Sequence, residues 1–330
     1  MSRARVLITS WMIPESNPAV QQLREAGCDV VINHWHPKRD EDELTGLMPG
    51  VSGVIASTDP FTRRVLEAAD ALKVIARTGV GFDSIDLAAA TEKGIVVATT
   101  PGTVDSAVAD HAFALMLGIA RRLVQNDAEV RAGRWNRFIG DDLAGQTLGI
   151  VGLGNIGRQV ARRAKGFDMS LLAYDVQKDE EFACQLGIRY VPLDELLALS
   201  DYVTLHAPLN QATRNLFDER ALRLMKPTAY LVNTSRGGLI DESALAKALR
   251  EGWIAGAGLD VFHNEPPRDS ELLQAPNVYY TPHVAGNTHG SQRLTIRMAT
   301  ENVLRVLRGE WPLHAVNPPA AEVRGLRRAE

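Results

Sequence analysis

The sequence is short of the features that mark secreted, membrane-spanning or nucleic-acid-binding chains. It has two cysteines, Cys28 and Cys184, in 330 residues. Two thiols at that separation match no metal spacing and build no disulfide framework. Both are read as reduced thiols, and no metal is expected. No apolar stretch approaches the roughly 18 residues of a membrane span. The opening MSRARVLITS holds only a short apolar run, too short for a secretion signal. Basic tracts are missing as well: 36 Lys and Arg stand against 40 Asp and Glu, a formal charge of −4. That balance argues against nucleic acid as a partner. The expectation is a soluble, cytoplasmic protein, and 45% hydrophobic with 23% charged residues is ordinary for one. The length allows two domains with sizeable cores.

Short apolar runs alternate with amphipathic segments from end to end. RVLITS, DVVINHW, GVIAS, LKVIART and IVVATT read as five buried strands, separated by AVQQLREAG, DELTGLM, TRRVLEAAD and DLAAATEKG with helical spacing. That rhythm predicts a parallel α/β sheet. DSAVADHAFALMLGIARRL follows as one long apolar helix, too extended for a simple crossover. A second series then begins, with strands LGIVG, SLLAYD, IRYV, YVTLHA, AYLVNTS, IAGAGLDV and NVYYTP. THGSQRLTIRMATENVLRVLRG reads as a single amphipathic helix, and AVNPPAAEVRGLRRAE as a tail with little core. The order suggests that the second series is inserted in the first domain, with the last helix returning to it. Crossings are expected near 100–110 and 285–295, and the cleft between the domains is the expected substrate site.

GLGNIG, residues 152–157, is a Gly-x-Gly-x-x-Gly turn nearly halfway along the chain. Alone it is a weak signal, since a tight strand-to-helix turn needs glycine whether or not it binds anything. Its setting is favourable, with a strand before it and the helical NIGRQVARRAKGF after it. Gly152 permits the sharp turn, Gly154 lets a pyrophosphate approach the backbone, and Gly157 lets helix and strand pack closely. The helix N-terminus offers N–H groups and a positive partial charge. The next strand ends in Asp175, whose carboxylate suits ribose hydroxyls and repels a 2′-phosphate. Lys178 is the nearest cation. NAD is therefore expected rather than NADP.

Three later strands end in chemistry-bearing residues: Arg236 in NTSRGGLID, Asp260 and Glu265 in GLDVFHNEPP, and His283 in TPHVAGNT. Singly, each has a bland reading as a surface ion pair, a solvated carboxylate or a strand cap. Beyond the carboxyl ends of one parallel sheet they could face one crevice. Together they suit hydride transfer beside a dinucleotide.

GLGNIG with YD, HAPL, NTSRGG, LDVF, NEPP and TPHVAGNT, in that order, resembles the D-isomer-specific 2-hydroxyacid dehydrogenase family. The resemblance runs over residues 50–310, and RTGVGFDSIDL and LDVFHNEPPRD look most like the phosphoglycerate dehydrogenase branch. It implies two Rossmann-like α/β domains with parallel sheets flanked by helices. Residues 1–104 and 290–330 would form a flavodoxin-like substrate-binding domain, and residues 105–289 an inserted NAD-binding domain. It implies that Arg236 holds the substrate carboxylate and carbonyl oxygen, that His283 is the acid/base and that Glu265 is its partner. It implies cofactor contacts at Asn155, Ile156, His206, Ala207, Pro208, Thr234, Ser235, Asp260, Ala285 and Gly286. His206 is structural or cofactor-lining on this reading, not catalytic. The backbone of Gly79, Val80 and Gly81 would hold the substrate carboxylate.

The sequence departs from longer phosphoglycerate dehydrogenases. PGTVDSAVAD stands where they often carry Asn-rich residues, and the chain ends soon after Gly309, so no regulatory domain and no feedback through one is expected. Arg77, with Arg134 and Arg137 beside Trp135, makes 3-phosphoglycerate and 3-phosphohydroxypyruvate the expected substrate pair. Glyoxylate or hydroxypyruvate is the alternative. A phosphite dehydrogenase and an NAD-sensing corepressor-like protein are further readings, while Glu265 in place of Gln argues against a formate enzyme. A homodimer is expected through residues 105–142, with Trp135 reaching toward the partner.

Overall fold

The computed structural model describes residues 3–34, 41–317 and 326. The chain divides into two compact units, Met1–Val104 with Thr288–Glu330, and Asp105–Asn287.

The first unit alternates strictly: β1 (Arg5–Ile8), α1 (Pro18–Glu25), β2 (Asp29–Ile32), α2 (Glu41–Leu47), β3 (Val51–Ala56), α3 (Arg63–Ala68), β4 (Val74–Arg77), α4 (Leu87–Glu92) and β5 (Val96–Ala98). The strands pair in parallel in the order β2-β1-β3-β4-β5, the flavodoxin-like arrangement. Side chains cap the helices where the sequence supplies them: Asn17 for α1, Thr62 for α3 and Asp86 for α4. Trp35, the last residue of DVVINHW, lies outside the described residues, and β2 ends at Ile32.

The second unit opens with α5 (Asp105–Ala120) and α6 (Leu123–Arg131). The sequence suggested one helix over residues 105–123. The structure ends it at Ala120, turns at Arg122 with a left-handed φ of 49°, and starts α6 at Leu123. Most of α5 is buried, on every face, as a helix packed against neighbours on several sides must be. No residue of α6 is buried, and Leu123, Val124 and Val130 are exposed. Then come β6 (Thr147–Val151), α7 (Asn155–Gly166), β7 (Ser170–Tyr174), α8 (Glu180–Leu186), β8 (Ile188–Tyr190), α9 (Leu193–Leu199), β9 (Tyr202–Leu205), α10 (Glu219–Leu224), β10 (Tyr230–Asn233), α11 (Glu242–Glu251), β11 (Gly256–Leu259) and β12 (Val278–Tyr280). This sheet is also parallel, in the order β8-β7-β6-β9-β10-β11-β12. The order reverses between β6 and β9, which is where a doubly wound sheet opens a ligand crevice beyond its strand ends.

α12 (His289–Leu307) belongs to the first unit and lies on β3 and β4. Its Ile296, Ala299, Val303 and Leu304 join Val6, Ile8, Ile55, Val74 and Ala76 in one core. The segment after it is more than a tail. Ala315 bridges Ala98 in antiparallel sense, and the Val316 N–H donates to Val97 O at 2.8 Å. Asn317 completes the edge of β5. Its Oδ1 accepts from Val97 N–H at 2.9 Å, and its Nδ2 donates to Ile95 O at 2.7 Å. The other residues of that segment, 318–325 and 327–330, lie outside the described residues. Among the described residues no helix is long and apolar enough to cross a membrane.

Asn317→Ala removes both partners from buried backbone groups. It is expected to lower stability by about 2 kcal/mol, the usual cost of orphaning such groups. Urea unfolding checks this, and an unmoved midpoint would show that the edge closes without the amide.

Candidate active site

The glycine turn follows β6 and opens α7. Gly152 has φ 93°, and a Cβ there would lie 2.7 Å from Ala207 N and from His206 C, so the turn presses on the loop after β9. A Cβ on Gly157 would fall 2.1 Å from Gly152 O, which is how α7 comes so close to β6. Gly154 is different. A Cβ there would meet nothing within 4 Å, and the first turn of α7 has no side-chain cap. The turn is tight underneath and open above, with helix N–H groups facing the open side.

Asp175, just past β7, ties the turn down. Its Oδ2 accepts from Leu153 N–H at 2.6 Å and its Oδ1 from Gln177 N–H at 2.9 Å. Each oxygen keeps a further lone pair for a ligand hydroxyl. Asn155 hydrogen-bonds Asp105, whose carboxyl is raised above its ordinary range by burial, with the Asn155 bond working the other way.

The loops after β9 and β10 meet beside this turn. Ser235 Oγ donates to Ala207 O at 2.7 Å, and Asn233 accepts Ser235 N–H and donates to Arg236 O. His206 Nε2 pairs with Thr204 Oγ1 at 2.9 Å, and burial pushes its pKa down to about 3. A neutral imidazole of that kind is no acid/base at working pH. Two buried polar atoms here, His206 Nδ1 and Thr234 Oγ1, have no hydrogen-bond partner among the described residues. Buried polar groups are seldom left so unless something else pairs with them. Both belong to the loops that flank the open turn, which fits a polar ligand laid across it. The donor set, the open glycine and these two atoms together suit a dinucleotide.

Arg236 follows in the same loop, its Nη1 donating to Ser235 O at 2.7 Å. Gly237, the next residue, packs backbone to backbone on the loop after β11: a Cβ would lie 1.9 Å from Phe262 C. That second loop carries Glu265, whose Oε1 accepts from Phe262 N–H at 3.2 Å. Its Oε2 lies 2.7 Å from His283 Nδ1. Because an ionised carboxylate only accepts, Nδ1 carries a hydrogen, and Nε2 is the nitrogen left for chemistry.

His283 sits at φ 54°, left-handed and unusual for a residue with a side chain. Asp260, 0% exposed, holds it there. His283 N–H donates to Asp260 O at 2.8 Å, while Val284 and Ala285 N–H donate to its carboxylate at 2.9 and 2.8 Å. Thr281 Oγ1 adds a third bond to the carboxylate at 2.5 Å. Asp260, expected at the cofactor, thus has its carboxylate engaged by the loop that carries His283, Ala285 and Gly286. His111 of α5 lies 2.9 Å from Thr281 Oγ1 and was not singled out from sequence, where it is one polar residue in an apolar helix.

In the first unit, Arg77 ends β4 and is 6% exposed. Its Nε donates to Gly81 O at 2.8 Å, and Thr100 N–H donates to Gly79 O at 3.0 Å, so the Gly79–Val80–Gly81 loop is braced from below. Asp59, also missed from sequence, is sealed beside it. Burial raises its carboxyl above the ordinary range, partly offset by hydrogen bonds and by the Arg77 charge. Arg134, in the second unit, is paired with Glu129 at 2.7 Å.

Comparison with known proteins agrees with this geometry. Residues 113–285 match the sequence model of the D-isomer specific 2-hydroxyacid dehydrogenase NAD binding domain. A glyoxylate reductase of Korarchaeum cryptofilum is 49% identical over 293 residues, covering 87% of this chain and 86% of that protein. A D-3-phosphoglycerate dehydrogenase of Methanocaldococcus jannaschii is 45% identical over 318 residues, covering 96% of this chain and 60% of that protein. Among solved structures, the D-lactate dehydrogenase of Aquifex aeolicus complexed with NAD and lactic acid superposes with a TM-score of 0.83 at 30% identity, covering 96% of this chain and 100% of that one. The chain belongs to the D-isomer specific 2-hydroxyacid dehydrogenase family, an oxidoreductase with an NAD-binding domain in its second unit.

Proposed function

We propose that the protein reduces a small unphosphorylated 2-oxo acid, glyoxylate or hydroxypyruvate, to the corresponding 2-hydroxy acid with NADH. The observation that carries the chemistry is the His283–Glu265 pair at 2.7 Å, on strand-end loops of the sheet that bears the dinucleotide turn. When bound, the nicotinamide supplies a hydride to the carbonyl carbon. His283 Nε2 gives the proton that the new hydroxyl oxygen needs, and takes it back in the reverse direction. Glu265 fixes the ring by its Nδ1 and stabilises the protonated form. Arg236 holds the substrate carboxylate with a planar fork.

Of the arginines expected to meet a phosphate, Arg134 is already bonded to Glu129, and Arg77 gives its Nε to Gly81 O. Seven curated relatives, 40–49% identical to this chain, carry the name glyoxylate reductase. The second reading, 3-phosphohydroxypyruvate, is favoured by the likeness to a phosphoglycerate dehydrogenase. NADH oxidation with glyoxylate, hydroxypyruvate, phosphohydroxypyruvate and phosphite separates the readings. The highest kcat/KM is expected for glyoxylate or hydroxypyruvate, with His283→Ala slower by about 10²–10⁴. A higher value for the phosphorylated acid would overturn the substrate. NADH binding with no turnover on any of the four would favour a sensor over an enzyme.

We assign cofactor choice to Asp175, since a carboxylate after the second strand of such a sheet suits ribose hydroxyls and disfavours a 2′-phosphate. Asp175→Ala is expected to lower kcat/KM for NADH and raise the share of NADPH use. A wild type that already prefers NADPH would refute this role.

A homodimer is proposed from residues 123–139. Leu123, Val124 and Val130 are exposed there, with Trp135 at 74% and Ile139 at 91% exposed, and an apolar surface of this kind marks an interface. Light scattering should give twice the 36.0 kDa of the chain, and Ile139→Glu should lower it. A monomer at working concentration would contradict the proposal.

A further inference from the structure

We propose that His111 is a positioning residue: it sets the Thr281 hydroxyl on Asp260 and so holds His283 in its left-handed conformation. The inference rests on the reading of His283 as the acid/base.

Counting hydrogens fixes the direction of the chain of bonds. Asp260 accepts from Val284 N–H, Ala285 N–H and Thr281 Oγ1. The one hydroxyl hydrogen of Thr281 is spent on that carboxylate, so Thr281 Oγ1 can only accept from His111, and His111 Nε2 carries the hydrogen. His111 Nε2 is also 3.6 Å from Asp260 Oδ1, close enough to add a weaker attraction to the same oxygen. The donor stands on α5, whose many buried residues make it a firm base.

The receiving end is under strain. A left-handed conformation costs a residue with a side chain of order 1 kcal/mol, and it persists only where the surroundings over-determine it. Asp260 provides that surrounding, taking His283 N–H on its carbonyl and the next two N–H groups on its carboxylate. Without His111, the Thr281 hydroxyl is free to rotate off Asp260 Oδ1. The carboxylate then loses one of the three bonds that aim it at the loop. Among the described residues, His111 reaches His283 only through Thr281 and Asp260, so it acts on the geometry of the proton transfer and not on its chemistry.

The test compares His111→Leu, His111→Gln and Thr281→Val in the full chain. Glutamine keeps an N–H donor near the position of Nε2, and leucine does not. For His111→Leu and Thr281→Val, kcat is expected to fall about tenfold, a typical cost of slight misplacement in a catalytic group. KM for NADH should stay within about twofold, since the glycine turn is untouched. His111→Gln should recover most of kcat. Amide hydrogen exchange at Val284 and Ala285 should quicken in the first two variants and not in His111→Gln. Unchanged exchange and unchanged kcat in His111→Leu overturn the proposal, as does an equal loss in His111→Gln. If His111→Leu does not fold, Thr281→Val against wild type decides by the same two readings. If the wild type reduces no 2-keto acid, the proposed function fails, and the exchange measurement alone still decides whether His111 positions the loop.

Discussion

The active edge of the second unit depends on one buried negative charge. Asp260 has no exposure to water, and a lone carboxylate in that position would be costly. It is held by converging donors, and nearly all of them belong to the loop after β12. The cost of burying the charge and the shape of the loop are thus one problem with one solution. The loop can satisfy Asp260 only by turning sharply at His283, and that turn presents the imidazole beside Glu265. An apolar residue at 260 would leave two loop N–H groups unpaired.

The rest of the site is assembled by close approach instead of charge. Gly152 and Gly157 let three segments of backbone crowd beneath the turn, and Gly237 does the same between the loops after β10 and β11. These contacts leave no room for a methyl group, so they act as stops that set the height of each loop above its strand. Hydrogen bonds such as Ser235 to Ala207 and Asn233 to Arg236 then fix rotation. The open face over Gly154 is what remains once everything below has been packed.

Much of this was legible in the sequence because parallel strands buried on both faces read as plain apolar runs. All five runs of the first series and all seven of the second form strands, and both sheets are parallel. The pairing of Glu265 with His283 also followed from motif resemblance. Four things were not legible. The break at Arg122 leaves no mark, because the left-handed residue there is neither glycine nor asparagine. The docking of Asn317 on β5 is a contact across some 200 residues of chain, invisible to any local pattern. The bond from Arg77 to Gly81 O was hidden because a cation at a strand end usually faces outward. His111 was hidden for the opposite reason, since its helix is so apolar that its periodicity reports only core.

The return of α12 and Asn317 to the first unit has a consequence for the order of assembly during synthesis. The strands of that unit leave the ribosome first, yet the side chains that cover β3 and β4 come after residue 288. The second unit is continuous and has its whole core by Asn287. Since long-range closure must wait for the chain that makes it, the second unit is the first able to close. The amino-terminal sheet keeps that face uncovered until α12 has emerged.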